Sequence, residues 1–223
     1  MVSLSTPRAQ GPLVTRLAAS PRPALLQEPA PGAGGGHGAV DQRIELSGTV
    51  VVNWAAKAAG LLLDEGVGPG DAVLLDLPDH WLSRALALGV LVAGARLDPA
   101  SGAASPAPDA DAAAVLTDRP EAWEDPALTV VAVRLPRGLE PHFGDDAADP
   151  AVVDLAAEIR AQPDALPGPV DHVVPDLVPA ADASGDGDGA ADGRQGGRAR
   201  VGVGVVRATL QDWDAGRCVT VPA

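Results

Sequence analysis

Aromatic side chains are nearly missing from this 223-residue chain: it has no Tyr, one Phe and four Trp, 2% in all. Its core must therefore be assembled from Leu, Val and Ala, with few of the large rings that usually anchor one. Cysteine occurs once, at Cys218, which excludes an internal disulfide. Lysine also occurs once, at Lys57, so Arg supplies every other basic side chain. No apolar run approaches the roughly 20 residues that a membrane helix needs; the longest, ALALGVLVAGA, spans 85–95. The opening MVSLSTPRAQGPLVTRLAAS contains no continuous apolar stretch of signal-peptide length. These absences lead to the expectation of a cytoplasmic protein. No period of 20–50 residues recurs, which excludes repeat folds.

What is present is acid. The formal net charge is −14, and a chain of that charge repels phosphate backbones and anionic lipid surfaces. Nucleic acid and membrane are therefore not expected as partners; a neutral or cationic partner is compatible with that charge. Apolar residues make up 46% of the chain, too many for a wholly disordered one. The abundance of Ala, Gly, Pro, Asp and Arg is that of coding from a GC-rich genome, of actinobacterial type.

Four stretches follow from composition and periodicity. Residues 1–42 are rich in Pro and Gly and read as a flexible segment carrying a short helix over 13–19 and a short strand over 24–27. Residues 43–162 read as an α/β domain. In it, 43–46 alternates as a strand, and 50–65 is the best helix, with Val51, Trp54, Ala55, Ala58, Leu61 and Leu62 on one buried stripe. Ser47 or Thr49 is placed to cap that helix and Gly66 to end it. A GVGPGD turn leads to 72–77, wholly apolar but for Asp76, which reads as a buried strand. Asp79 is expected to cap a second helix that is apolar all round and runs to about Ala93, with Gly94 ending it. Further strands are expected at 112–117 and 129–135, and a short helix at 152–160. Residues 163–200 read as a low-complexity linker, disordered over 176–200, because ADASGDGDGAADGRQGGRAR offers little apolar surface to offset chain entropy. Residues 201–223 complete the chain with a final strand at 201–210 and a tail. The succession of strands and helices predicts a partial open, mostly parallel sheet with packed helices.

Order and spacing over 43–135 resemble the N-terminal region of the AMP-binding, adenylate-forming enzymes, the acyl-CoA synthetases and their relatives. The resemblance rests on Gly66, Val67, Pro69, Gly70 and Asp71 in the turn, then the strand after it. A helix ending at Ala93–Gly94 and an Asp98–Pro99 loop follow, then AAAVLTD and LTVVAVRL as the next strands. These shared residues are structural: Pro69–Gly70 makes the turn and Asp71 can satisfy backbone N–H groups there. The strings ELSGTVVVNWAAKAAGLL, LDLPDHWL and AAEIRAQPDAL further resemble a group of short uncharacterised actinobacterial proteins, which implies a complete small protein.

The family's chemical motifs do not follow. Its ATP-phosphate loop ends in Gly–x–Pro–Lys; the nearest string here, Ser47–Gly48–Thr49, runs into Val50–Val51–Val52 and reads as a helix entry. Its adenine and ribose motifs and the lid with the catalytic lysine have no counterpart, and Lys57 sits mid-helix. The resemblance therefore implies a truncated relative, expected to be non-catalytic and to act as a binding or interaction protein for a protein partner or a small acyl or adenylate ligand. The alternative is one component of an adenylate-forming enzyme completed by a partner chain. No catalytic residue, cofactor or metal ligand is expected.

Other groupings carry weaker chemistry. Asp182, Ser184, Asp186, Gly187 and Asp188 partly match a calcium loop, but its bidentate Glu would fall at Gly193. Gly202–Val203–Gly204 lacks the third glycine of a dinucleotide loop, which would fall at Arg207. His37, His80, His142 and His172 have no metal-ligand spacing, and His142 with Asp145, Asp146 and Asp149 reads as a solvated acidic loop. Trp54 and Trp81 read as core anchors, and Cys218 as an inert thiol. No Gly–x–Ser–x–Gly occurs for a hydrolase elbow.

Overall fold

A computed structural model describes residues 11–29, 42–99, 111–123, 125–139, 151–178 and 200–222. The elements run α1 (Leu13–Ala18), β1 (Pro23–Gln27), β2 (Ile44–Ser47), α2 (Gly48–Asp64), β3 (Ala72–Asp76), α3 (Trp81–Val92) and β4 (Arg96–Pro99). They continue with β5 (Ala112–Thr117), β6 (Thr129–Ala132), β7 (Val153–Asp154), α4 (Leu155–Glu158), α5 (Val203–Asp214) and β8 (Val219–Val221).

Helix α2 forms where its sequence stripe predicts. The Ser47 hydroxyl accepts from the Val50 N–H at 3.4 Å and caps it, as expected. At the other end Gly66, at φ 79°, lets the chain reverse. Its N–H donates to Leu63 O at 3.0 Å, and that of Val67 donates to Leu62 O at 2.8 Å. This paired closure consumes carbonyls that a helix end would leave exposed. In the turn that follows, the Asp71 carboxylate accepts from the Gly68 N–H at 2.8 Å, the role its position implied. Helix α3 closes in the same way at Gly94, and its whole length is buried. Where α2 crosses α3 the two backbones nearly touch. A Cβ on Gly89 would lie 2.6 Å from the Ala58 Cβ and 2.9 Å from Ala55 O, so only glycine fits there.

The five-stranded sheet has the order β4-β3-β5-β6-β7, and every pair is parallel. Register places Val73 beside Leu97, Leu75 beside Leu116, and Leu116 beside Val131. The two-residue period of strands then divides the side chains. Val73, Leu75, Ala114, Leu116 and Val131 join the main core with α2 and α3. Leu74, Val115 and Val130 form a smaller cluster on the other face, met by the partly buried Ala112, Trp123, Leu128 and Val152. A second sheet, β2-β1-β8, pairs β1 antiparallel to β2 and parallel to β8. The expected α/β class with a mostly parallel sheet and packed helices is what the chain forms.

Several local expectations are corrected. The stretch 201–210 is not a strand: Val203–Asp214 is a helix. Its buried residues Val206, Thr209, Leu210 and Trp213 follow helical spacing, and that stripe shows only when the window extends past Leu210. Asp79 does not cap α3; His80 does, its Nδ1 accepting from the Leu82 N–H at 3.1 Å. Asp79 instead grips the Arg84 guanidinium through both oxygens, at 2.9 and 2.8 Å. The helix expected over 152–160 begins later: Val153–Asp154 pairs with β6 first, and Asp154 then caps Leu155–Glu158. Asp98 and Pro99 belong to β4, beside Leu74 and Leu75, and not to a loop. Of the stretch 176–200, expected to be disordered, only the ends are described: Asp176 meets Arg207 at 2.9 Å and Arg200 meets the sheet, while 179–199 lie outside the described residues.

Candidate functional site

In an open parallel sheet the strands' carboxyl ends bind ligands, in the crevice where the chain's winding reverses. Here β3 is followed by β4 on one side, and β5 takes up the other side of β3. The reversal therefore lies between β3 and β5. Their last residues, Asp76 and Thr117, stand side by side in register.

Asp76 is 1% exposed, a carboxylate at the end of an apolar strand. Its Oδ2 accepts from the Thr117 hydroxyl at 2.9 Å, from the Arg119 Nε at 2.9 Å and from the Trp123 indole N–H at 3.1 Å. Its Oδ1 accepts from the Arg119 Nη2 at 3.0 Å and faces the Arg200 Nε at 3.5 Å. Arg200 also donates through Nη1 to the Asp76 main-chain oxygen at 2.8 Å and to the Asp118 carboxylate. Burial by itself raises the pKa of the Asp76 carboxyl. The hydrogen bonds from Arg119 and Thr117, the charge of Arg200 and the indole of Trp123 outweigh that and hold it below the ordinary carboxylate value.

The chemical consequence is an anion fixed in place. Two carboxylates, Asp76 and Asp118, are matched by two guanidinium groups, Arg119 and Arg200. Both Asp76 oxygens are engaged, and its lowered pKa is the wrong direction for proton transfer near neutrality. The strap that brings Arg200 also covers the crevice: the Val201 N–H donates to Leu77 O at 2.8 Å, and Arg200 pairs with Pro78 across a single β-bridge. Beside it, Arg84 holds Asp79 and donates to the Thr209 hydroxyl at 2.6 Å, which ties α3 to α5.

The residues singled out in the sequence lie elsewhere. Ser47 caps α2, Gly48 is buried within it, and the Thr49 hydroxyl donates to Ala18 O at 2.7 Å. Lys57 holds Gln162 O at 2.5 Å and Asp164 at 3.2 Å, pinning the segment after α4 to α2. Trp54 and Trp81 meet edge to face, 5.4 Å between ring centres, with Trp81 fully buried. His80 is buried. Because its Nδ1 is the capping acceptor, the ring proton sits on Nε2 and bonds Pro136 O at 3.1 Å. His172 reaches Leu91 O at 2.8 Å. Gly202 precedes α5, Arg207 binds Asp176, and the Cys218 thiol is pushed up by partial burial and by Glu45. His37, His142, Asp145, Asp146, Asp149, Asp182, Ser184, Asp186, Gly187, Asp188 and Gly193 lie outside the described residues. Among the described residues no group of three or more His, Cys, Asp and Glu is placed to hold a metal ion, and no helix is long and apolar enough to cross a membrane.

Asp76 was legible as the one polar residue in an apolar strand; Thr117, Arg119, Trp123 and Arg200 were not. A further feature had no sequence signal. Gln27 accepts the Trp81 main-chain N–H through Oε1 at 2.8 Å, and its own Nε2 and the Trp81 Nε1 are buried with no partner among the described residues.

Comparison with known proteins bears on the fold. No protein-family model matches the chain. It is 46% identical over 59 residues to a TIGR03089 family protein of Mycobacterium tuberculosis, a match covering 26% of this chain and 24% of that protein. Among solved structures it is similar to an acyl-CoA synthetase from Brucella canis, with a TM-score of 0.53 and 20% identity, over 73% of this chain and 29% of the synthetase. A fatty acyl CoA synthetase of Mycobacterium tuberculosis gives a TM-score of 0.47 at 20% identity, over 70% of this chain and 29% of the synthetase. The chain thus has the fold of the N-terminal subdomain of acyl-CoA synthetases, and it spans under a third of the length of each of these three proteins.

Proposed function

We propose that this chain is a non-catalytic α/β binding or interaction protein built on the N-terminal fold of acyl-CoA synthetases. The observation that carries the reading is the filled crevice at the carboxyl ends of β3 and β5, where Asp76 and Asp118 are neutralised by Arg119 and Arg200. Entry of a ligand there requires moving Arg200 off Asp76 and Asp118. The sequence supports the same reading, since Ser47–Gly48–Thr49 lacks the Pro and Lys that a phosphate loop needs. At a net charge of −14, neither nucleic acid nor a membrane surface suits it as partner; a protein or a small acyl or adenylate ligand does, in a cytoplasmic setting.

Pyrophosphate exchange with a panel of fatty and aryl acids tests this. The purified chain is expected to give none above a no-enzyme control, and robust acid-dependent exchange overturns the proposal. A thermal-shift series with ATP, AMP, CoA and acyl-CoA identifies a ligand of the native state, because such a ligand raises Tm.

One observation favours a second reading, in which a partner chain completes an adenylate-forming enzyme. The outer face of the five-stranded sheet has Leu74, Val115 and Val130 under side chains that are themselves only partly buried, Trp123 and Leu128 among them. Exchange that appears only when a chain bearing the phosphate loop is added selects this reading over the first.

A further inference from the structure

A second concavity lies away from that crevice, between the turn joining α1 to β1 and the last turn of α5. It encloses about 720 Å³, the scale of a small-molecule site. Its apolar wall includes Leu17, Pro21, Pro23 and Trp213. In a chain of net charge −14, the charged residues lining it are three arginines, Arg16, Arg22 and Arg217, against the single acid Asp214.

Two of those arginines are spent. Arg16 donates to the Asp214 carboxylate at 2.6 Å and to its main-chain oxygen at 3.1 Å. Arg217 donates to Asp212 through Nε at 2.8 Å and Nη2 at 2.5 Å. The Arg22 side chain is exposed, and no described residue bonds or pairs with its guanidinium. Counting Asp212 with the lining, three positive groups face two negative ones among the described residues, and the excess is Arg22. The carbonyl end of α5 also faces this space and would repel an anion. Its carbonyls are already engaged, Asp214 O by Arg16, Trp213 O by the Gly216 N–H and Asp212 O by the Arg217 N–H. The Trp213 indole N–H is likewise committed, to Ala24 O at 2.8 Å, so the ring contributes apolar surface only.

From this arrangement we infer that the cleft binds a small organic anion, its oxyacid group on the Arg22 guanidinium and its apolar body against Pro21, Pro23 and Trp213. A guanidinium takes a carboxylate or a phosphate through the same paired N–H geometry, so both are served by one site. The inference is independent of the function proposed above, because no residue of the Asp76 cluster lines the cleft.

The test is titration of the full chain with 2-naphthoate, 2-naphthyl phosphate and the neutral 2-naphthamide, followed by backbone amide NMR. Either anion is expected to move the Ala24, Gly216 and Arg217 signals, and the arm that binds more tightly identifies carboxylate or phosphate as the source. Arg22→Gln is expected to weaken that binding at least about fivefold, a loss of about 1 kcal/mol, with Tm unchanged. Arg96→Gln, on an exposed arginine of β4 that does not line the cleft, is expected to bind as the wild type does. The inference is overturned if neither anion shifts these signals up to about 10 mM. Equal binding of the amide, or wild-type affinity in Arg22→Gln, overturns it as well.

Discussion

Where α2 crosses α3, Ala55, Ala58 and Gly89 meet with no polar side chain between them; where β3 and β5 end, two carboxylates and two guanidinium groups share one small volume. The first seam is specified by shape. Its contribution comes from dispersion and from apolar area removed from water, and neither depends on the protonation of a side chain. The second is specified by charge. Its Coulombic attraction is offset by the cost of burying Asp76 and of partly desolvating Asp118, Arg119 and Arg200, so its net contribution is far smaller than its hydrogen bonds suggest. What it supplies is position: it fixes the strap at 200–202 over one particular point of the sheet.

The sharpest way to break the charged seam is to remove its centre. Asp76→Ala leaves Arg119 and Arg200 facing a buried void, and the expected loss is about 3–5 kcal/mol. An unchanged urea midpoint would mean that both guanidinium groups swing out to water, and that the seam specifies nothing. In the apolar seam, Leu62→Ala is expected to cost about 2–5 kcal/mol, since Leu62 is fully buried on α2. Gly89→Val is expected to cost less, about 1–3 kcal/mol, by pushing α3 off Ala58. A Gly89→Val protein as stable as the wild type would show that the crossing can widen without penalty.

Acid separates the two seams with a smaller effect. The folded pKa of Asp76 lies below the ordinary aspartate value of 3.8. The unfolded chain therefore takes up that proton first as pH falls. The stabilisation is complete above about pH 4 and is lost as pH drops through the lower folded value. Urea midpoints measured from pH 5 downward should fall more steeply for Gly89→Val, which keeps Asp76, than for Asp76→Asn, which does not. Equal slopes would assign the acid sensitivity to other carboxylates.

What the sequence revealed was what is local. Helix α2 and the turn at 66–71 were legible because the stripe, the Ser47 cap and Gly66 lie within one short stretch. Helix α5 was misread because its alternating valines, Val201 to Val205, lie at its start, while Trp213 completes the stripe beyond the window. Strand β4 is only four residues long, Arg96–Pro99, and its described burial amounts to Leu97 between the exposed Arg96 and the half-buried Asp98, too little for a pattern. The site was harder still. Asp76 showed only as the polar exception in an apolar strand, Arg119 stands 43 residues away and Arg200 124 residues away, and no spacing rule links them.

The parallel pairing of β8 with β1 has a consequence for synthesis. Leu25 is matched to Val219, Ala24 O waits for the Trp213 indole across 189 residues, and Arg16 waits for Asp214 across 198. Contacts of such separation form slowly, because a long loop must close before any of them contributes. On the ribosome, β1 emerges early and can pair with β2, and α2 can find α3. One edge of β1 then stays open until residues 203–221 clear the exit tunnel. An open strand edge is a template for pairing with another chain. The interval in which this protein is most exposed to aggregation is therefore set by elongation rate over the later part of the chain, and not by the stability of the finished fold.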